Sequence, residues 1–205
     1  MIHKNSNEKG FSLIETLIVL SVICILASIT IFKSFGSMEN YQANSGMDIV
    51  ISQLRVARQL AISQRRDVQI TFNTSATSPS ITYQVLAGTY AGSTEVNQKA
   101  VTMPLPKQVQ FTSESGESDT PMAFGTCGGT FGVCIAGVSG GPIYMEFNSQ
   151  GQFTDATKVN TLNGTVFLGM PNMANTARAV TIMGGTGRVR SYSYIGGTGV
   201  GSWTE

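Results

Sequence analysis

Three places in this chain carry side chains with chemistry to offer. Glu15 is the only charged residue between Phe11 and Phe32, in the run FSLIETLIVLSVICILASITIF. A lone carboxylate in such a run costs several kcal/mol in an apolar medium unless it is neutralised or paired. It therefore either lies at a polar boundary or meets a positive group from another chain. Cys127 and Cys134 enclose six residues in CGGTFGVC, a glycine-rich interval flexible enough to close. A disulfide there would constrain the unfolded chain by about 2.5 kcal/mol and requires an oxidising compartment. Arg188 and Arg190 flank Val189, so on a strand both guanidinium groups face away from a buried valine. With Arg178 they form a local basic patch, able to hold phosphate oxygens through charge-assisted forks or to contact carboxylates of a neighbouring subunit.

Other chemistries lack their residues. The only histidine is His3, so neither a zinc site nor a base for a cysteine nucleophile can be assembled. There is no H-E-x-x-H, G-x-S-x-G or P-loop, and the acidic stretch SESGESD is spaced too irregularly for a calcium loop. The sequence reads as no enzyme, with no metal and no cofactor. Beyond Ser34, 10 Lys/Arg balance 10 Asp/Glu, which argues against coating nucleic acid through bulk charge.

The elements that must position these groups follow from periodicity. Residues 11–32 contain no Pro, Gly, Lys or Arg, and as a helix they would extend roughly 33 Å, enough to cross a hydrocarbon core. Cys24 within them reads as a small hydrophobe. Lys4 and Lys9 precede the run, favouring a cytoplasmic start, and no small-residue cleavage site follows it. Met47, Val50 or Ile51, Leu54, Ala57 and Ala61 then recur with the spacing of an amphipathic helix, ending at Arg65-Arg66-Asp67. Period-two alternation in Val68–Phe72 and Ile81–Leu86 predicts a β-hairpin. Further strands are expected at 101–105, 109–111, 143–147, 166–168, 179–182 and 189–194, with Trp203 docking the glycine-rich tail. The fold class is α+β: a long N-terminal helix, its first half transmembrane, packed on a C-terminal antiparallel β domain of two small sheets.

Residues 9–20, KGFSLIETLIVL, resemble the class III signal of type IV prepilins and type II secretion pseudopilins. A Gly-Phe junction, an acid four residues after Phe11 and a continuous apolar helix coincide. The resemblance implies that a membrane-embedded prepilin peptidase cuts between Gly10 and Phe11 and methylates the new amino terminus at Phe11. Residues 1–10 would then be the leader and 11–33 the transmembrane and later fibre-core helix. Residues 34–66 would continue it as an amphipathic helix, and 67–205 would form the β domain. Glu15 would pair with the Phe11 amino group of a neighbouring subunit. Major pilins usually carry Pro where this chain has Phe32, so a more continuous helix is expected, as in a minor subunit.

Over nearly the whole chain the layout is similar to minor pilins and pseudopilins related to general-secretion protein H and to FimT/FimU. The matching stretches are Leu54–Ile62 before Val68–Phe72, Phe147–Gly151 and Thr186–Arg190. In FimT-like subunits a Gly-Arg-x-Arg motif is associated with DNA binding, and Gly187, Arg188 and Arg190 match it. The implied partners are other pilins or pseudopilins, prepilin peptidase, an inner-membrane assembly platform with its cytoplasmic motor ATPase, membrane lipid before assembly and, on the alternative reading, DNA. The implied location is the bacterial inner membrane, single-pass with a periplasmic C-terminal domain, and the pilus or pseudopilus after assembly.

Overall fold

The computed structural model describes residues 12–88, 96–113, 119–124, 132–135, 143–155, 160–196 and 202–205, without the side chains of 29–37 and 143. Helix α1 occupies Leu13–Gln64. Two compact units divide the chain, Met1–Met38 and Glu39–Glu205.

In the first unit every described side chain from Ser12 to Ser28 is exposed. The hydroxyls of Thr16, Ser21 and Ser28 donate to the carbonyls of Leu13, Ile18 and Cys24, at 2.8, 2.7 and 2.8 Å. These three hydroxyls are thus satisfied by the helix's own backbone.

Among the described residues no helix is long and apolar enough to cross a membrane. This corrects the transmembrane first half expected for residues 11–33, and with it the single-pass inner-membrane topology.

The second unit is built on two five-stranded antiparallel sheets. The first has the order β3-β2-β1-β5-β6, from Val101–Pro104, Ser80–Val85, Val68–Asn73, Ile143–Phe147 and Phe153–Thr154. The second has the order β10-β9-β8-β7-β4, from Ser202–Thr204, Arg188–Ile195, Arg178–Met183, Gly164–Leu168 and Val133–Ile135. A 3-10 turn at Ala174–Thr176 precedes β8.

Period-two alternation decides the inner face of the first sheet: Val68, Ile70 and Phe72 of β1 are buried and alternate with half-buried or exposed polar residues. The helix contributes Ala43, Val50, Leu54, Ala57 and Ala61, all fully buried at three-and-four spacing. Gly46 extends this stripe; a Cβ there would stand 2.9 Å from Val109 Cγ1 and 3.3 Å from Leu168 Cδ1, so the glycine serves close packing. One cluster joins the helix to both sheets through Phe72, Phe147, Phe153, Val166, Leu168, Val180 and Ile182.

The second sheet is covered on both faces. Val166, Leu168, Val180 and Ile182 face the main cluster, while Phe167, Ala179, Tyr192, Tyr194 and Trp203 form another on the opposite side. Hence β7 is buried at all five positions, and the alternation expected of a half-solvated strand is absent. Trp203 docks the C-terminal strand with ring centroids 5.7 Å from Phe167 and 5.0 Å from Tyr194.

The helix ends without glycine. Arg65 takes the left-handed conformation at φ 53°, and the Arg66 N–H donates to Ala61 O at 3.2 Å, closing a Schellman-type cap. Arg66 then donates to Leu86 O through both Nε and Nη2, and Nη2 also reaches Val96 O at 2.8 Å. The basic end of the helix is thereby used to hold the segment that follows β2.

Candidate functional site

Glu15 lies in the first turn of α1, where the helix dipole favours an acid, and is exposed. Ser12 opens that turn: its carbonyl accepts the N–H groups of Glu15 at 3.0 Å and Thr16 at 3.2 Å. Gly10 and Phe11 lie outside the described residues. Cys134 is disulfide-bonded and Cys24 is a free, exposed thiol. Cys127, the partner read from the sequence, also lies outside the described residues.

The three arginines of the basic patch are not brought together. Arg178 opens β8 with its side chain inward and is buried. Its Nε donates to Asn44 Oδ1 at 2.7 Å and Nη2 to Asn40 Oδ1 at 3.2 Å, both on α1. Its Nη1 donates to Ala177 O at 2.8 Å and Asn175 O at 3.2 Å. Burial lowers its pKa from the usual guanidinium value, and four neutral oxygen acceptors offset that desolvation. Arg178 therefore acts as a clamp between helix and sheet.

Arg188 and Arg190 stand on the outward side of β9, opposite Val189, which packs against the main core. Arg188 is exposed and pairs in register with Met183; Arg190 pairs with Thr181 and is half-buried. Arg190 Nη1 meets Glu205 Oε2 at 3.4 Å, and the Tyr192 hydroxyl followed by that carboxylate hold it more firmly charged. With Met122, Phe124, Thr181 and Met183 the two arginines line a depression of about 30 Å³, the room of roughly one water. Among the described residues no group of three or more His, Cys, Asp or Glu could hold a metal ion. Such a surface suits contact rather than bond-making.

Gly187, the first residue of Gly-Arg-x-Arg, has a packing role that its place in the motif does not reveal. It closes the β8–β9 hairpin at φ 62°, with its N–H donating to Met183 O at 2.7 Å. A Cβ there would fall 2.1 Å from Gly151 O and 2.7 Å from Arg58 Nε. The turn that carries Gly151 is shaped by Asn148, whose Oδ1 accepts the N–H groups of Gln150 at 3.0 Å and Gln152 at 2.9 Å. Ser149 N–H reaches Asp67 Oδ1 at 3.2 Å, and Arg58 Nε donates to Gly151 O at 3.2 Å. Sequence reasoning did not single out Arg58; its position inside Leu54–Ile62, one of the stretches matched to the family, was the available signal.

Residues 5–31 match the prokaryotic N-terminal methylation motif. No curated protein matches the chain. Among solved structures, the minor pseudopilin EpsH from the type 2 secretion system of Vibrio cholerae aligns with a TM-score of 0.42 at 12% identity, covering 76% of this chain and 96% of that one. The type IV minor pilin FimU of Pseudomonas aeruginosa aligns with a TM-score of 0.42 at 11% identity, covering 75% and 90%. The chain thus carries the prokaryotic N-terminal methylation motif in its first part, and the motif singles out no one protein.

Proposed function

We propose that this protein is a minor type IV pilin or type II secretion pseudopilin, cut between Gly10 and Phe11, methylated at Phe11 and assembled into a fibre by bundling of α1 with like helices. The observation that carries this reading is the surface of the helix. Ten large apolar side chains from Leu13 to Leu26 stand 49 to 81% exposed, a continuous greasy face that marks an interaction surface. The hydroxyls of Thr16, Ser21 and Ser28 are already satisfied, so apolar packing and the Glu15 carboxylate are what this stretch offers a neighbour. Glu15 pairs with the cationic Phe11 amino group of an adjacent subunit, which neutralises two costly groups at once. The Cys134 disulfide is assigned to Cys127. The partners on this reading are other pilins or pseudopilins, the prepilin peptidase and the assembly platform.

Glu15→Ala is the test. Processing should proceed normally, while the variant's share in sheared fibres falls about tenfold or more, since an unpaired charge in an apolar core costs several kcal/mol. Equal incorporation of the variant would sink the pairing.

A second reading, contact with duplex DNA through Arg188 and Arg190, is favoured by Arg188. It is exposed and makes no side-chain hydrogen bond or ion pair with any described residue. Salt-dependent binding that is lost in the Arg188→Ala/Arg190→Ala double variant is its expected mark.

A further inference from the structure

We infer that Arg58 of α1 is a further phosphate-contacting residue, paired with Arg188 across the tip of the β8–β9 hairpin; this rests on the DNA reading. The two come from distant parts of the sequence to one turn. Gly187 has no side chain, and the stem of Arg58 runs against it, with Cδ 2.9 Å and Nε 2.7 Å from where a Cβ would stand. The Nε bond to Gly151 O at 3.2 Å fixes that stem. The two terminal nitrogens of Arg58 make no hydrogen bond or ion pair with any described residue, leaving the fork's outer edge for an external acceptor.

Arg188 leaves the same turn on the outward side of the sheet, beside Met183. The tip itself is bare: Thr186 is exposed, and nothing lies within 4 Å of the position a Cβ on Gly185 would take. The junction also contains the Asp67 carboxylate, which is buried and accepts the Ser149 N–H. Arg178 takes no part, being buried against Asn40 and Asn44.

The chemistry of the tip favours a phosphodiester backbone over a protein surface. Protein interfaces are anchored by aromatic side chains and arginines packed in desolvated pockets, and the tip residues themselves supply no aromatic anchor. Residues 184–187 are Gly-Gly-Thr-Gly, followed in the chain by Arg188, and the Arg58 stem packs against Gly187. Two forks flanking a small, uncharged knob can take oxygens from successive phosphates without reading base identity.

The test uses the full-length chain, kept in solution with detergent, and a short duplex of mixed sequence titrated over a salt series. Arg58→Gln should weaken binding about tenfold at low salt and reduce the slope of log K against log salt by about 0.9, the loss of one phosphate contact. Arg58→Lys should keep that slope. If Arg188→Ala/Arg190→Ala binds like the unaltered chain, the DNA reading itself fails. If the double variant weakens binding while Arg58→Gln leaves slope and affinity unchanged, only the assignment of Arg58 fails. Equal weakening by Gln and Lys, accompanied by a lowered melting temperature, would mean that Arg58 acts only through its hold on Gly151 and would also overturn the assignment.

Discussion

Gly187→Val should lower the melting temperature of the β-sheet unit by roughly 8–16 °C, the consequence of losing about 4 kcal/mol. Two effects add. A β-branched residue at φ 62° costs about 1–2 kcal/mol before any contact is considered. The new Cβ would also sit 2.1 Å from a backbone oxygen, that of Gly151, so one of the two turns must move. Moving the 148–151 turn breaks the Arg58 and Asp67 contacts that hold it. The adjacent Gly185→Ala is the control: its Cβ meets nothing within 4 Å, and its melting temperature should stay within about 2 °C of the parent. Melting both variants by circular dichroism checks the pair. A Gly187 substitution that abolishes DNA binding would accordingly report the fold rather than the ligand, even though the residue belongs to the motif.

Arg178→Ala should cost about 3 kcal/mol, roughly 6–12 °C in melting temperature, where a solvated surface arginine would cost no more than about 0.5 kcal/mol. The guanidinium fills four acceptors at once: Asn40, Asn44 and the carbonyls of Asn175 and Ala177. Truncation leaves those oxygens short of a donor in a part-buried site and removes the hydrogen bonds that tie β8 to α1. Arg178→Lys keeps the charge but presents a single ammonium that cannot reach both asparagines and both carbonyls, so it should lose much of the same stability. A melting temperature for Arg178→Ala within about 2 °C of the parent would return Arg178 to the surface patch.

The sequence made some elements plain and hid others for physical reasons. Val68–Phe72 alternates because one face of β1 meets the core, and the three-and-four recurrence from Val50 to Ala61 marks the buried stripe of α1. Strands β4, β6 and β10 have only three, two and three residues, too few for any period to register. Phe167 and Ala179 break alternation because the second sheet carries a cluster on each face. Arg178 read as a surface cation because its acceptors on α1 lie 134 and 138 positions away. The same distance effect concealed Arg58, whose meeting with Gly187 needs the 148–151 turn folded between them. The apolar run after Phe11 was legible as a helix, whereas its reading as a membrane span was not sustained.

In the function proposed for it, the chain is trimmed at Gly10 and retains its apolar helix for packing against other subunits. Mass spectrometry of the protein purified from its native cells tests it most directly. The account predicts an intact chain whose amino terminus is N-methylated Phe11. A terminus at Met1, or a product that begins beyond Ser28 and lacks the helix, would contradict it.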